Sequence, residues 1–193
     1  MNDNYNWIAY NKEKTELVHA ALKRWILLRL GDDPEVYLLT IRFPTHKPFE
    51  SLLLAKKELR KVMRCYLRCL LPKSWHKMKW KFVAFAELGR NRLWHFHVIM
   101  HHKFMHCSEE LVLLAFEKMV KQFDLDYCSL QLDPIDHTPE KVISYCLKEV
   151  RANAKGHFHT DRIIPSEDLF DYFNERELPA VKKKRFKAKP GAE

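Results

Sequence analysis

A chain of 193 residues with 47% hydrophobic content suits one domain with appended ends and argues against intrinsic disorder. Its net charge of +9 favours a polyanionic partner, either nucleic acid or an anionic membrane surface. It has no apolar run of the roughly 18 residues a membrane span needs. The start, MNDNYNWIAYNKEKTE, lacks the basic and apolar regions of a secretory signal. The cysteines Cys65, Cys69, Cys107, Cys128 and Cys146 form no CxxC pair and read as reduced thiols, so the expected location is the cytoplasm.

Residues 12–30 carry Val18, Ala21, Leu22, Trp25, Ile26 and Leu28 at helical spacing, with Gly31 to end the helix. VYLLTIRF (36–43) has the β-branched and aromatic content of a central strand, and Pro44 and Pro48 bound the loop after it. Over 49–71, Ala55, Leu59, Val62, Met63, Tyr66, Leu67 and Leu70 predict a long amphipathic helix closed by Pro72. WKFVAFAEL (80–88) predicts a second strand, Gly89-Arg90-Asn91-Arg92 a turn, and LWHFHVIMHH (93–102) a third strand. So short a connection makes the pair an antiparallel hairpin.

Ser108 is a candidate N-cap for a helix through about Phe123, with Leu111, Ala115, Met119 and Phe123 inward. YCSLQLDPI (127–135) predicts a fourth strand stopped by Pro134, and Thr138-Pro139-Glu140 starts a helix to about Val150. Beyond Arg151 the pattern weakens to a short helix over 166–176 and a basic, disordered tail over 181–193. The chain thus divides into an N-terminal helical extension (1–35), a core (36–150), a C-terminal extension (151–180) and the tail. The core order is βαββαβ, an α+β class of ferredoxin-like or RRM-like kind. It predicts an antiparallel sheet with helices on one face and the other face free for a ligand.

The strand through Trp94-His95-Phe96-His97-Val98 carries the chemistry. Side chains alternate along a strand, so His95 and His97 point one way and Phe96 and Val98 the other. Two neutral imidazoles on one face of a rigid strand are half of a divalent-metal site. Glu87 shares a face with Phe85 at the end of the preceding strand. It lies beside the histidines in one hairpin register and turns away if that register slips by one residue. Two imidazoles and a carboxylate suit Mn²⁺, Mg²⁺, Co²⁺ or Zn²⁺ and leave positions open for phosphate oxygens.

In the helix 138–150, Val142, Ile143, Cys146, Leu147 and Val150 form a core stripe. Tyr145 falls about 130° from the centre of that stripe, with Lys148 farther round. As i,i+3 neighbours they can act on one scissile group. An ammonium beside a phenol favours the phenolate and can balance charge on a phosphorane. Arg90 and Arg92 in the hairpin turn, with Lys141, are candidate phosphate contacts. The tail from Lys182 to Lys189 suits non-specific contact with a DNA backbone. His101, His102, His106 and Cys107 follow the strand at spacings that match no structural zinc motif. A second His-x-His pair, His157 and His159, reads as loop and is the rival metal site.

Glu87, Gly89, the strand His95-Phe96-His97 and the helical segment Tyr145-Cys146-Leu147-Lys148 together resemble the HUH (His, hydrophobic, His) endonuclease superfamily. With HUH ahead of a single tyrosine in a YxxK motif, the order is similar to that of rolling-circle replication initiators of the Rep class. The strand Leu38-Leu39-Thr40-Ile41 is similar to the family's first motif. The likeness covers residues 36–150. It implies that His95, His97 and Glu87 hold Mn²⁺ or Mg²⁺, that Tyr145 is the nucleophile and that Lys148 orients phosphate or balances charge. It implies single-stranded DNA as partner, at an origin hairpin of a plasmid or phage. The sequence contains no Walker motif, so the resemblance leaves unwinding and synthesis to a host helicase and polymerase. The alternatives are a tyrosine transposase of the same superfamily and a non-catalytic nucleic-acid-binding module of RRM-like fold. A mononuclear iron oxygenase is disfavoured, because the strand order gives no double-stranded barrel.

Overall fold

Short runs rich in apolar, β-branched and aromatic residues form the strands, and in α2 and α3 apolar residues recurring every three to four positions form amphipathic helices. The computed structural model describes residues 3–30, 36–46, 49–70, 81–89, 93–101, 109–125, 130–135, 139–152 and 157–170. In chain order the elements are α1 (Asp3–Leu30), β1 (Val36–Arg42), α2 (Leu52–Leu70), β2 (Phe82–Leu88), β3 (Trp94–His101), α3 (Glu109–Phe123), β4 (Leu130–Pro134), α4 (Pro139–Cys146), β5 (Ile163–Pro165) and α5 (Ser166–Phe170). The five strands form one sheet in the order β4-β1-β3-β2-β5, and every neighbouring pair is antiparallel. The protein is therefore of α+β class. Among the described residues no helix is long and apolar enough to cross a membrane.

One face of the sheet presents Leu39, Ile41, Phe82, Ala84, Ala86, Phe96, Val98 and Leu130. Against it pack the stripes of α2 (Ala55, Leu59, Val62, Met63, Tyr66) and α3 (Ala115, Met119, Phe123). Leu111, expected inside, is 41% exposed; Val112 and Phe116 take the inner positions of that turn. Phe96 is fully buried in this layer and meets Phe43 edge-on at 5.9 Å. Replacing Phe96 with Ala is expected to lower stability by about 3–5 kcal/mol, read as a drop in the urea midpoint at unchanged slope. A loss below about 1 kcal/mol would mean that this layer does not hold the sheet.

The other face departs from the expectation that it would be free. Val36, Val83, Phe85, Ile99 and Ile163 lie under Ile26 and Leu30 of α1 and Ile143, Cys146, Leu147 and Val150 of the α4 segment. Helices therefore lie on both faces. At this end the central strands are apolar on both sides, and a sheet buried on both sides needs two layers of cover. Toward Thr40, Arg42, Glu87, His95 and His97 the same face turns polar.

Polar contacts add to the burial of Ile26 and Leu30 in holding α1 in place. The His19 ring nitrogen Nε2 donates to the Val150 carbonyl at 2.8 Å, and Arg29 pairs with Glu167 at the start of α5. Of the periodic residues read in α1, Ile26 is buried, while Trp25 and Leu28 face outward at 39% and 73% exposure.

Two further departures are local. The expected helix to Val150 stops at Cys146 and tightens into a 3₁₀ turn over Leu147–Glu149. Downstream, Ile163–Pro165 adds to the sheet beside Val83–Phe85. Three residues are too few to show a strand period in sequence. The predicted caps Ser108 and Thr138, the turn residues 90–92 and the tail lie outside the described residues.

Candidate active site

The register places the proposed ligands side by side. Glu87 on β2 pairs with His95 on β3, and Phe85 pairs with His97. From the other side, β1 sets Thr40 opposite His97 and Arg42 opposite His95. Strand alternation then turns Thr40, Arg42, Glu87, His95 and His97 to one face.

The three proposed ligands converge. Glu87 Oε2 lies 3.3 Å from His95 Nε2 and 3.2 Å from His97 Nε2. One donor atom from each residue lies within 4.8 Å of the others, close enough to hold a metal ion. Two imidazole nitrogens and a carboxylate oxygen aimed at one point are a donor set that fits a divalent cation. No other such group occurs among the described residues. The His97 ring is held on both sides, since Thr40 Oγ1 stands 3.2 Å from its Nδ1.

The helical segment brings in Tyr145 and Lys148. The Tyr145 ring meets the His97 ring edge-on with centroids 5.7 Å apart, and Tyr145 is 52% exposed. Lys148 reaches back under it. Its Nζ sits 3.9 Å from the Tyr145 ring centroid and donates to Glu87 Oε1 at 2.9 Å. The 3₁₀ turn matters here, because it sets the position of Lys148 relative to Tyr145 on the preceding α-helical turn. His19, capping the Val150 carbonyl from α1, anchors the far end of that turn.

Charges in the site hold one another. Burial pushes the Glu87 carboxyl up, but Lys148 and the two imidazoles outweigh it and keep it below the ordinary carboxylate value. Burial, then the neighbouring His95, pulls the His97 imidazole below its ordinary 6.5, with Glu87 opposing. It is therefore neutral at physiological pH, as a ligand must be. Partial burial pulls Lys148 down, but the Tyr145 hydroxyl and Glu87 outweigh it and raise it above the ordinary lysine value. Lys148 thus stays an ammonium and acts as a charge partner, not as a base.

Burial, then the Glu87 charge, drives the Cys146 thiol up to about 12, with Lys148 opposing. The thiolate is the reactive form. Cys146 is therefore expected to resist alkylation in the native protein at pH 8 and to react only on unfolding, which mass spectrometry of iodoacetamide-treated protein reads directly. Native labelling at the unfolded rate would place it outside the core.

Of the other residues singled out from sequence, Lys141 is exposed one helical turn before Tyr145, on the same side of α4. Arg90, Arg92, His102, His106 and Cys107 lie outside the described residues. His157 and His159 are exposed and do not join the group of Glu87, His95 and His97, His159 standing 4.0 Å from Asp161. Two contributors were not assigned from sequence. Thr40 backs His97, and Arg42 places an exposed guanidinium in the row of Glu87 and His95. Their signal was their parity on β1, which becomes useful only once β1 is known to pair with β3. Comparison with protein-family profiles, with curated proteins and with solved structures finds no match to this chain.

Proposed function

We propose that the chain is a metal-dependent, single-tyrosine DNA endonuclease of the HUH kind, nicking single-stranded DNA to begin rolling-circle replication of a plasmid or phage. The observation that carries this reading is convergence: an exposed tyrosine, its lysine and a His-His-Glu triad, drawn from three separate elements, meet over one end of one sheet face. A ferredoxin-like core is supported by the order β4-β1-β3-β2, with β5 outside β2 as an addition.

Glu87, His95 and His97 would hold the ion, with Mn²⁺ or Mg²⁺ the proposed occupant. Bound there, it supplies Lewis-acid polarisation of the scissile phosphate. Lys148 already balances Glu87, so the loaded site has excess positive charge facing an anionic substrate.

Tyr145 attacks phosphorus. Its Oη–P bond forms, the P–O3′ bond breaks, the leaving 3′-oxygen takes a proton from water, and the products are a 5′-phosphotyrosine and a free 3′-hydroxyl. The phenolic proton leaves to water, to which the half-exposed ring is open, and Lys148 stabilises the phenolate. One phosphodiester replaces another, so nicking and rejoining need no ATP. Arg42 and Lys141, with Arg90 and Arg92, are the proposed backbone contacts.

The test is incubation with a mixed single-stranded DNA library and Mn²⁺, run on denaturing gels. The expected result is a protease-sensitive retarded species that EDTA suppresses. DNA binding without any adduct, in Mn²⁺ and in EDTA alike, would sink the enzyme reading and leave a nucleic-acid-binding module.

A further inference from the structure

Thr40 is buried in the middle of β1, directly opposite His97. A hydroxyl there is costly unless it is bonded, and its partner is the His97 ring nitrogen Nδ1 at 3.2 Å. The other ring nitrogen, Nε2, faces the Glu87 carboxylate at 3.2 Å. An ionised carboxylate only accepts, so a neutral His97 in this arrangement carries its one ring proton on Nε2. Nδ1 is then a bare acceptor, and the Thr40 hydroxyl donates to it. A metal taken at Nε2 needs the lone pair where that proton now sits. The ring must then carry its proton on Nδ1, and its neighbour must accept.

Few side chains can do both. A carboxylate or a backbone carbonyl accepts only, and a lysine donates only. A hydroxyl donates or accepts by rotating about one bond. We propose that Thr40 is a positioning residue whose hydroxyl reverses its hydrogen bond to His97, donating in the metal-free protein and accepting when Nε2 binds metal. The ring keeps one proton throughout: Nε2 loses one to water and Nδ1 takes one from water. The inference rests on the reading of Glu87, His95 and His97 as a metal site. Among the described residues the groups facing the His97 ring are Thr40, Glu87, His95, Tyr145 and Lys148, and of these only Thr40 is placed at Nδ1.

The experiment compares wild type, Thr40→Val and Thr40→Ser. Val keeps the shape and removes the hydroxyl, and Ser restores the hydroxyl. Zn²⁺ serves as a diamagnetic probe. Its affinity is measured by competition with a chromophoric chelator, and the His97 tautomer by long-range proton–nitrogen NMR with and without Zn²⁺. Folding of each variant is checked by circular dichroism and a urea melt. The wild type is expected to move its His97 proton from Nε2 to Nδ1 on loading. Thr40→Val should stay folded and bind Zn²⁺ about 10- to 100-fold more weakly, the usual effect of losing a partner behind a metal-bound histidine. Thr40→Ser should recover most of that loss.

A purely structural role would shift the melt and leave affinity alone. A folded Thr40→Val with wild-type affinity, or a loaded wild type with Nδ1 unprotonated, would overturn the Thr40 proposal and leave the metal site standing. No Zn²⁺ binding by wild type or Thr40→Ser would overturn both.

Discussion

Tyr145→Phe is expected to abolish the covalent adduct and lower nicking by about 10⁴-fold or more, while Mn²⁺ affinity and DNA binding stay near wild type. A loss of that size corresponds to about 5.5 kcal/mol of transition-state stabilisation and is what removal of a covalent nucleophile costs elsewhere. The choice of tyrosine follows from burial. Among the tyrosines whose side chains are described, Tyr66 is fully buried and Tyr37 packs against the helix-covered core. Tyr145 combines 52% exposure with contact to His97 and Lys148. At 52% residue exposure its hydroxyl contributes little to folding, and Phe keeps the ring over which Lys148 sits, so a loss of activity would not reflect unfolding. The check is a denaturing gel with the trapped DNA sequence, beside a fluorescence-anisotropy titration of the same strand. An adduct that persists in Tyr145→Phe would assign the nucleophile to another side chain. Loss of DNA binding in parallel would make Tyr145 a contact residue.

Much of this site was legible in sequence, because a strand has a fixed side-chain period. His95 and His97 had to share a face whatever the fold. Their place beside the Glu87 carboxylate followed once β2 paired with β3 in the register Glu87↔His95. That register was the open point, and the apolar pattern explains how it is set. With Ala84, Ala86, Phe96 and Val98 all directed to the α2 and α3 layer, a slip of one residue would turn the Glu87 carboxylate into that apolar layer.

Less could be read where period failed. The stripe of Val142, Ile143, Cys146, Leu147 and Val150 correctly left Tyr145 outside, but it could not show that the helix tightens after Cys146. The cover on the second face was missed because, among its described side chains, α1 buries little beyond Ile26 and Leu30 and exposes apolar residues such as Leu17 and Leu28. Helical spacing alone does not say which apolar residues find a partner. Thr40 stood out only as part of its strand motif, and its contact with His97 could not be read because it depends on a strand pairing across 57 positions of sequence.

Glu87→Gln separates the two roles that the carboxylate holds in this structure. Oε2 meets both imidazoles, and Oε1 meets Lys148. If Glu87 ligates, the substitution should weaken Mn²⁺ binding by about 10- to 100-fold, of the order seen for lost support in metal sites, and slow nicking at least as much. Stability should change little. The ion pair with Lys148 is 17% and 30% exposed, and partly solvated pairs are worth about 1 kcal/mol or less.

The pH dependence supplies an independent signature. Protons compete with metal at His97, whose imidazole is held below its ordinary 6.5, so Mn²⁺ affinity should hold down to about that pH and fall below it. Glu87, held below 4.5, remains ionised across that window. Glu87 also raises His97, so removing its charge should move the acid midpoint to lower pH even as the affinity itself drops. Isothermal titration of Mn²⁺ at several pH values reads both effects. Lys148→Met is the control, since it removes the other end of the ion pair and leaves all three donors. Weak Mn²⁺ binding in Glu87→Gln with near-normal binding in Lys148→Met would place the carboxylate on the metal. Equal, small effects from both, non-additive in the double variant, would make Glu87 only the counter-ion that positions Lys148 under Tyr145.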